Sequence, residues 1–313
     1  MYSIITPVFN REDCISRCIE SVIEQLKWNI PLEHIIIDDG SKDRTPSIIN
    51  NYAKKYNHIK CILLPTNKGT NAARNAGIRA AAGDFCTFLD SDDYFVPDAI
   101  SFIHQTINDK PNFIHYIFTP SHQVEKIKQY VHNESSNQCI LTYSDFLSGK
   151  VYGDFLHVIK TNTLRKYPFL ESVRIHEYLT YLKLYKEANY ILLTNKTITI
   201  IERQRADSVT KETIRTSKKI INKDLEAVEY YLLNYKNELI DYKLDNILTK
   251  RYIRYIENTL MLSQYNKTKK ALNEMKALSF SIPSYLKIFY YTRTGWLFRL
   301  LLKYYLEWKY RNW

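Results

Sequence analysis

Between residues 2 and 89 four short apolar runs alternate with three helical stripes, and each apolar run ends in polar residues. No other feature constrains the fold as tightly. Residues 2–9 (YSIITPVF) read as a strand, and residues 12–26 place apolar side chains at 15, 18, 19, 22, 23 and 26, the spacing of one helix face. A second strand at 34–37 leads to a helix over 43–56, and a third at 59–64 leads to a helix from 69 to about 82. The fourth strand, residues 84–89, follows Gly83 and is apolar enough to be buried on both faces. Strand and helix alternating in this way predict an α/β fold with a parallel sheet covered on both sides.

The polar ends carry the chemistry. Strand four stops at Asp90-Ser91-Asp92-Asp93, three carboxylates within four residues. A solvated acidic turn is the plain reading of such a tetrapeptide. At the mouth of a buried strand, though, adjacent carboxylates repel, and a divalent cation with hard oxygen ligands, Mg2+ or Mn2+, removes that repulsion. The other strands end in Pro7-Val8-Phe9-Asn10, Asp38-Asp39 and the stretch from Asn67 to Arg74. Ligands of open α/β sheets bind outside the carboxyl ends of the strands, so all four clusters converge on one edge. Carboxylates, the cationic Arg74 and a helix N-terminus at Gly69 together suit a metal-bound phosphate ester, hence a nucleotide. Neither G-x-G-x-x-G after strand one nor G-x-x-x-x-G-K-[ST] anywhere occurs, which excludes the common dinucleotide and P-loop sites.

The segments SIITPVFNRE, IIIDDGSKDRT, NKGTNAARNAGI and GDFCTFLDSDD, in that order, resemble glycosyltransferase family 2. The resemblance covers roughly the first hundred residues densely. It implies a GT-A fold, a nucleotide-diphosphate-sugar donor, a divalent cation and inversion at the anomeric carbon. Carried over by motif, Pro7 and Phe9 flank the base and Asp39 accepts from a uracil-type ring. Asn67 and Ser91 join the donor nucleotide, Arg74 lies near the diphosphate, Asp90 near ribose and metal, and Asp92 on the metal. Phe9 stands where tyrosine is commoner in the family. Each residue also has a plain reading: Asp38 and Asp43 as helix caps, Asn67 and Gly69 as a tight turn, Arg74 and Asn75 as partners of nearby acids.

Beyond residue 120 the pattern thins. Residues 113–119 read as another strand and 121–138 as a polar loop or weak helix. VRIHEY at 173–178, ahead of a helical pattern, is similar to the family's acid-pair segment. That register puts His176 at the first position and Glu177 at the catalytic base; a shift of one puts Tyr178 there, and Asp154 and Glu171 are the nearest substitutes. His176, Arg203 and Arg205 are implied as diphosphate or acceptor contacts, the last two within ERQRADSVT, which is similar to the family's basic closing segment. A charged surface loop explains that segment equally well. The family's Q-x-x-R-W is absent, which argues against a processive polymerase.

Charge divides the chain. Residues 1–120 hold 12 Lys and Arg against 14 Asp and Glu, whereas residues 121–313 hold 32 against 19. We therefore expect a catalytic domain over residues 1–215 and a helical, basic region over 216–313 for acceptor, membrane-surface or homo-oligomer contacts. A helix over 294–311 would gather Leu297, Leu300, Leu301, Tyr304, Tyr305 and Trp308 on one face, suited to an anionic membrane surface, the protein core or a second subunit. The five cysteines lack metal-ligand spacing and read as reduced thiols; with Met1 leading straight into a strand and no bilayer-length apolar run, a cytoplasmic location, peripheral at the membrane, is expected. No nucleic-acid module accompanies the basic half.

The sequence thus points to single-sugar transfer from a nucleotide-sugar, UDP-linked, to a glycan or lipid-linked acceptor in bacterial surface polysaccharide synthesis. An inactive scaffold of the same fold is one alternative. A sugar nucleotidyltransferase is another, and TPVFN does not supply the glycine-rich basic loop it needs.

Overall fold

The computed structural model describes residues 1–131, 137–173, 176–202 and 217–311. The chain divides into two compact units, Met1–Arg203 and Gln204–Trp313.

The first unit is built on an eight-stranded sheet. Its strands are β1 (Tyr2–Val8), β2 (Leu32–Asp38), β3 (Ile59–Leu63), β4 (Phe85–Phe88), β6 (His115–Thr119), β7 (Gln138–Thr142), β8 (Leu156–Lys160) and β9 (Tyr190–Thr197), in the order β3-β2-β1-β4-β8-β6-β9-β7. β3, β2, β1 and β4 pair in parallel, as the alternation predicts, with Ile5 beside both Ile35 and Phe88. β8 enters antiparallel between β4 and β6, and β7 closes the far edge antiparallel to β9. The sheet is therefore mixed, which the pattern of the first ninety residues did not reveal. Two further strands, β5 (Tyr94–Phe95) and β10 (Thr199–Ile200), form a separate antiparallel pair.

Five longer helices cover this sheet: α1 (Ile15–Ile23), α2 (Thr45–Lys55), α3 (Thr70–Ala80), α4 (Ala99–Asp109) and α5 (Tyr178–Ala188). One core layer joins Ile4, Ile36, Ile15 and Ile19 to Ile100 and Ile103. The layer on the opposite face joins Ile5, Ile37, Ala73 and Ile78 to Phe88, Phe169 and Leu184. Alternate residues of β1 thus feed two cores, which is why both neighbours Ile4 and Ile5 are fully buried. All five cysteines are free, and burial pushes the thiols of Cys61, Cys86 and Cys139 up to about 11. Residues 121–130, expected as a polar loop or weak helix, form three short helical turns.

The second unit is helical: α6 (Lys218–Asp241), α7 (Asp245–Met261), α8 (Tyr265–Ala277), α9 (Ser284–Tyr291) and α10 (Gly295–Arg311). Lys243, Ser263, Ser279 and Arg293, each two residues beyond a helix, adopt positive φ of 56° to 59°. Leu244, Gln264 and Phe280 then donate back to carbonyls of Leu239, Thr259 and Met275 at 2.7–2.9 Å, closing the helix ends. Ion pairs lace these helices, Arg254 to Asp224 at 2.7 Å and Lys236 to Glu274 at 2.8 Å. No described helix is long and apolar enough to cross a membrane.

Candidate active site

The loops after β1 and β2 are stitched together by side-chain to backbone hydrogen bonds. Asn10 donates its backbone N–H to Ser41 Oγ and accepts from Lys42 N–H on Oδ1, both at 2.8 Å. Asp43 accepts from Thr45 N–H at 3.0 Å and from Glu12 N–H at 3.1 Å, close to the helix-capping role read from its position. Asp38 accepts from Ser41 N–H at 3.0 Å, while its other oxygen is buried without a partner. Gly40, at φ +76°, allows the sharp turn; a Cβ there would meet the Thr66 and Asn67 backbone within 2.9 Å.

Asp39 is buried, and its two oxygens accept from Lys68 N–H at 2.8 Å and Gly69 N–H at 2.7 Å. It thereby ties strand two to the turn that opens α3, at Gly69 with φ +97°. Pro7 is buried in β1, and Phe9 and Asn67 are exposed at the same edge. These residues sit together, as the convergence of strand ends requires.

Arg74 organises the centre. Its Nη2 donates to Asp90 Oδ1 and its Nη1 to Glu177 Oε1, both at 3.1 Å. The guanidinium also faces the rings of Phe88 and Phe169 at 5.7 and 5.6 Å. Burial opposes its charge, but the Asp90 and Glu177 carboxylates more than offset that and raise its pKa further. Glu177 is the residue before α5, and its backbone carbonyl accepts from Thr180 and Tyr181 at 2.9 and 3.0 Å. Its side chain makes no capping bond; it reaches Arg74 instead.

The segment leading to Glu177 is held down by α3. Asn71 Nδ2 donates to the carbonyls of Leu170 and Val173 at 2.9 and 3.3 Å. Asn75 donates to the Phe169 carbonyl and to Glu171 Oε1, both at 2.9 Å, and accepts from Phe169 N–H at 2.8 Å. Asn71, Arg74 and Asn75 share one helix face by their i, i+3, i+4 spacing, so one stripe anchors the segment and grips its acid. The partnership of Asn75 with Glu171 matches the plain reading of that residue. Asp154, the other substitute base, accepts from Gln123 at 3.2 Å and lies 3.5 Å from His122 Nε2. The His176 ring meets Tyr178 edge-on at 5.9 Å. Arg203 and Arg205 lie outside the described residues.

The acidic turn is bound from a second side. β10 pairs with β5, Ile200 beside Tyr94, so residues 199–202 run next to Asp90–Asp93. Glu202 N–H donates to Asp93 Oδ1 at 3.1 Å. Arg17 donates to the Asp92 carbonyl at 2.8 Å, pairs with the Glu202 carboxylate and lies over the Tyr94 ring at 4.6 Å. Nothing in the sequence singles out Arg17, which lies within a helix away from any strand end, and Glu202 enters there only as the first residue of the basic segment ERQRADSVT. Ser91 is buried, and its carbonyl accepts from Cys14 Sγ at 3.6 Å.

A divalent cation fits this donor set in part. Asp90, Asp92 and Asp93 offer hard oxygens, and Asp93 is pushed up to about 8, first by burial and then by the neighbouring Asp90 charge. That is the charge conflict a cation relieves. Among the described residues, however, no group of three or more His, Cys, Asp or Glu is arranged to hold a metal.

The model of glycosyl transferase family 2 matches residues 3–168, more than half of the chain. The match ends before Glu177. A Campylobacter jejuni protein, GalNAc(5)-diNAcBac-PP-undecaprenol beta-1,3-glucosyltransferase, is 31% identical over 209 residues, 66% of this chain and 66% of that protein. The chain spans between 32% and 66% of the length of the first curated relatives it matches. Among solved structures, S. aureus TarS 1-349 in complex with UDP-GlcNAc is similar at TM-score 0.57 and 18% identity, over 90% of this chain and 93% of that one. The mannosyltransferase PcManGT of Pyrobaculum calidifontis, in complex with GDP-Man and Mn2+, gives TM-score 0.57 and 15% identity over 98% and 86%. The mixed sheet, its strand-end site and these likenesses agree on a GT-A fold. With more than half its length matched by the family model, the chain belongs to glycosyl transferase family 2.

Proposed function

We propose that this chain transfers one sugar, with inversion, from a UDP-linked sugar to a glycan or lipid-linked acceptor in bacterial surface polysaccharide synthesis. The observation that carries it is the bridge Asp90–Arg74–Glu177, which joins an acid of the strand-four turn to an acid 87 residues later in the chain. Inverting transfer needs a carboxylate on the acceptor side and a polar, cation-compatible edge on the donor side, and an arginine linking Asp90 to Glu177 supports assigning those two roles to them.

Pro7, Phe9, Asp39, Asn67 and Ser91 bind the nucleotide in this reading, with Phe9 offering an exposed ring to the base. Asp92, with Asp90, would hold Mn2+ or Mg2+, which when bound stabilises charge on the leaving diphosphate. Glu177 takes the proton of the acceptor hydroxyl as that oxygen bonds to the anomeric carbon. The bond from that carbon to the β-phosphate oxygen breaks, and the nucleoside diphosphate leaves with the electron pair. His176, Arg203 and Arg205 are assigned to diphosphate or acceptor. The relative named for an undecaprenol-linked acceptor supports a lipid-linked acceptor here, met from the cytoplasm at the inner membrane face.

A panel of nucleotide-sugars incubated with the protein and Mn2+, assayed for donor hydrolysis and for transfer, tests the reading. Turnover of one UDP-sugar is expected. Failure of every donor to bind or hydrolyse leaves the inactive scaffold as the better description.

A further inference from the structure

We infer that the outward face of α9 and α10 is a docking surface for an anionic lipid bilayer. α9 and α10 pack on each other through Phe298, whose ring lies 5.9 Å from Tyr285 and 5.0 Å from Phe289. Leu286 is fully buried, and Gly295 lies so close to the Leu260 carbonyl that a Cβ would clash. Leu297, Phe298, Arg299, Leu302 and Leu306 are half-buried in α10. At 100° per residue the last four fall on a single arc, while Leu297 in the first turn lies off it, so beyond that turn this arc is the side of α10 that packs inward.

The other side is apolar and exposed. Trp296, Leu300, Leu301, Tyr304 and Tyr305 are 38% to 61% exposed, and the helical angle gathers them on roughly half of the circumference. Ile288 and Tyr291, one turn apart on α9, are 58% and 77% exposed. A water-facing helix ordinarily shows the reverse arrangement, and contiguous exposed apolar side chains of this size mark an interaction surface. From Trp296 to Tyr305 the helix rises only about 14 Å, too short to cross a hydrocarbon core of about 30 Å. The helix therefore lies in the interface plane, where tyrosine and tryptophan combine an apolar ring with a polar edge.

Charge selects the occupant. Residues 284–311 contain six Lys or Arg and one acid, Glu307, together with ten aromatic residues. Lys287, Arg293 and Lys303 are exposed beside the apolar face. Each basic residue near an anionic leaflet adds to the attraction, which falls off within a Debye length and is screened by salt. A second copy of the chain would instead bring two basic faces together and pay repulsion. The docking surface belongs to the helical unit and is separate from the reaction; with the proposed lipid-linked acceptor it also explains how the enzyme meets its substrate.

Co-sedimentation of the whole protein with vesicles decides it. Binding to vesicles containing phosphatidylglycerol is expected, with little to phosphatidylcholine alone, and added salt weakens it. Leu300→Asp/Leu301→Asp and, separately, Lys287→Glu/Lys303→Glu each lower the partition coefficient roughly tenfold or more. Transfer to a water-soluble acceptor analogue stays at the wild-type rate in both variants, so loss of docking is separable from loss of chemistry. Equal pelleting of wild type and both variants overturns the proposal, as does a wild type that stays in solution with anionic vesicles. A dimer in sedimentation velocity that Leu301→Asp dissociates, without vesicle binding, assigns the face to a second copy and also overturns it.

Discussion

Arg74 and Glu177 meet at 3.1 Å, and the same guanidinium reaches Asp90 at the same distance. Arg74 is only 12% exposed in its side chain, so its partners rather than water hold its charge. Remove the arginine and two carboxylates face each other across a half-buried gap. We expect Arg74→Met to lose about 2 kcal/mol of stability, less than a fully buried pair because Asp90 is half exposed. Transfer should fall by about two orders of magnitude. Arg74→Lys keeps the charge but cannot fork to both acids, and should recover only part of either loss. Thermal melts and transfer rates on the three proteins check this; full activity in Arg74→Met removes the bridge from the mechanism.

Glu177→Gln separates a base from a helix-entry acid. As a base, its loss leaves folding and donor binding intact while transfer drops by roughly a hundredfold or more. As an acid favoured by the start of α5, its loss lowers stability by a few tenths to about 1 kcal/mol and spares turnover. Calorimetric donor binding together with single-turnover transfer distinguishes the two, and a near wild-type rate places the base elsewhere.

Asp92→Asn addresses the cation. Three crowded carboxylates, one of them pushed up to about 8, favour a divalent ion, and removing one charge should abolish Mn2+-dependent UDP binding measured by calorimetry. Unchanged Mn2+-dependent affinity would falsify the assignment of the metal to this turn.

His34 gives a pH signature independent of the site. It is fully buried, accepts or donates at 2.9 Å to Thr6 Oγ1, and burial, then the nearby His58, depresses it to about 3. A histidine depressed in the folded state binds protons better when unfolded, so its contribution to stability is lost as pH falls below the unfolded value near 6.5. Between pH 7 and pH 5 this amounts to about 2 kcal/mol. Urea denaturation of wild type and His34→Gln at the two pH values isolates it: the wild type should lose that much more than the variant. Parallel losses would show that His34 does not set the slope.

Much of the first unit was legible in the residues. β1 to β4 and α1 to α3 fall where the periodicity put them, because buried parallel strands are near-continuous apolar runs and their helices carry clean stripes. The boundaries moved by a few residues where polar side chains supplied turns: α1 begins at Ile15 rather than residue 12, α2 at Thr45 rather than 43. The insertion of β8 beside β4 was not legible, since strand order is a long-range property that local periodicity does not encode.

The sequence by itself determined the alternation, the parallel core and the four polar strand ends, because side-chain period and burial are local consequences of residue type. Only the tertiary structure decided what those polar residues do to one another. It drew Glu177 onto Arg74 through Asn71 and Asn75, and it brought Glu202 and Arg17 to the acidic turn. Those pairings join residues far apart in the chain, and their energies depend on distance and desolvation, which exist only after the backbone has closed.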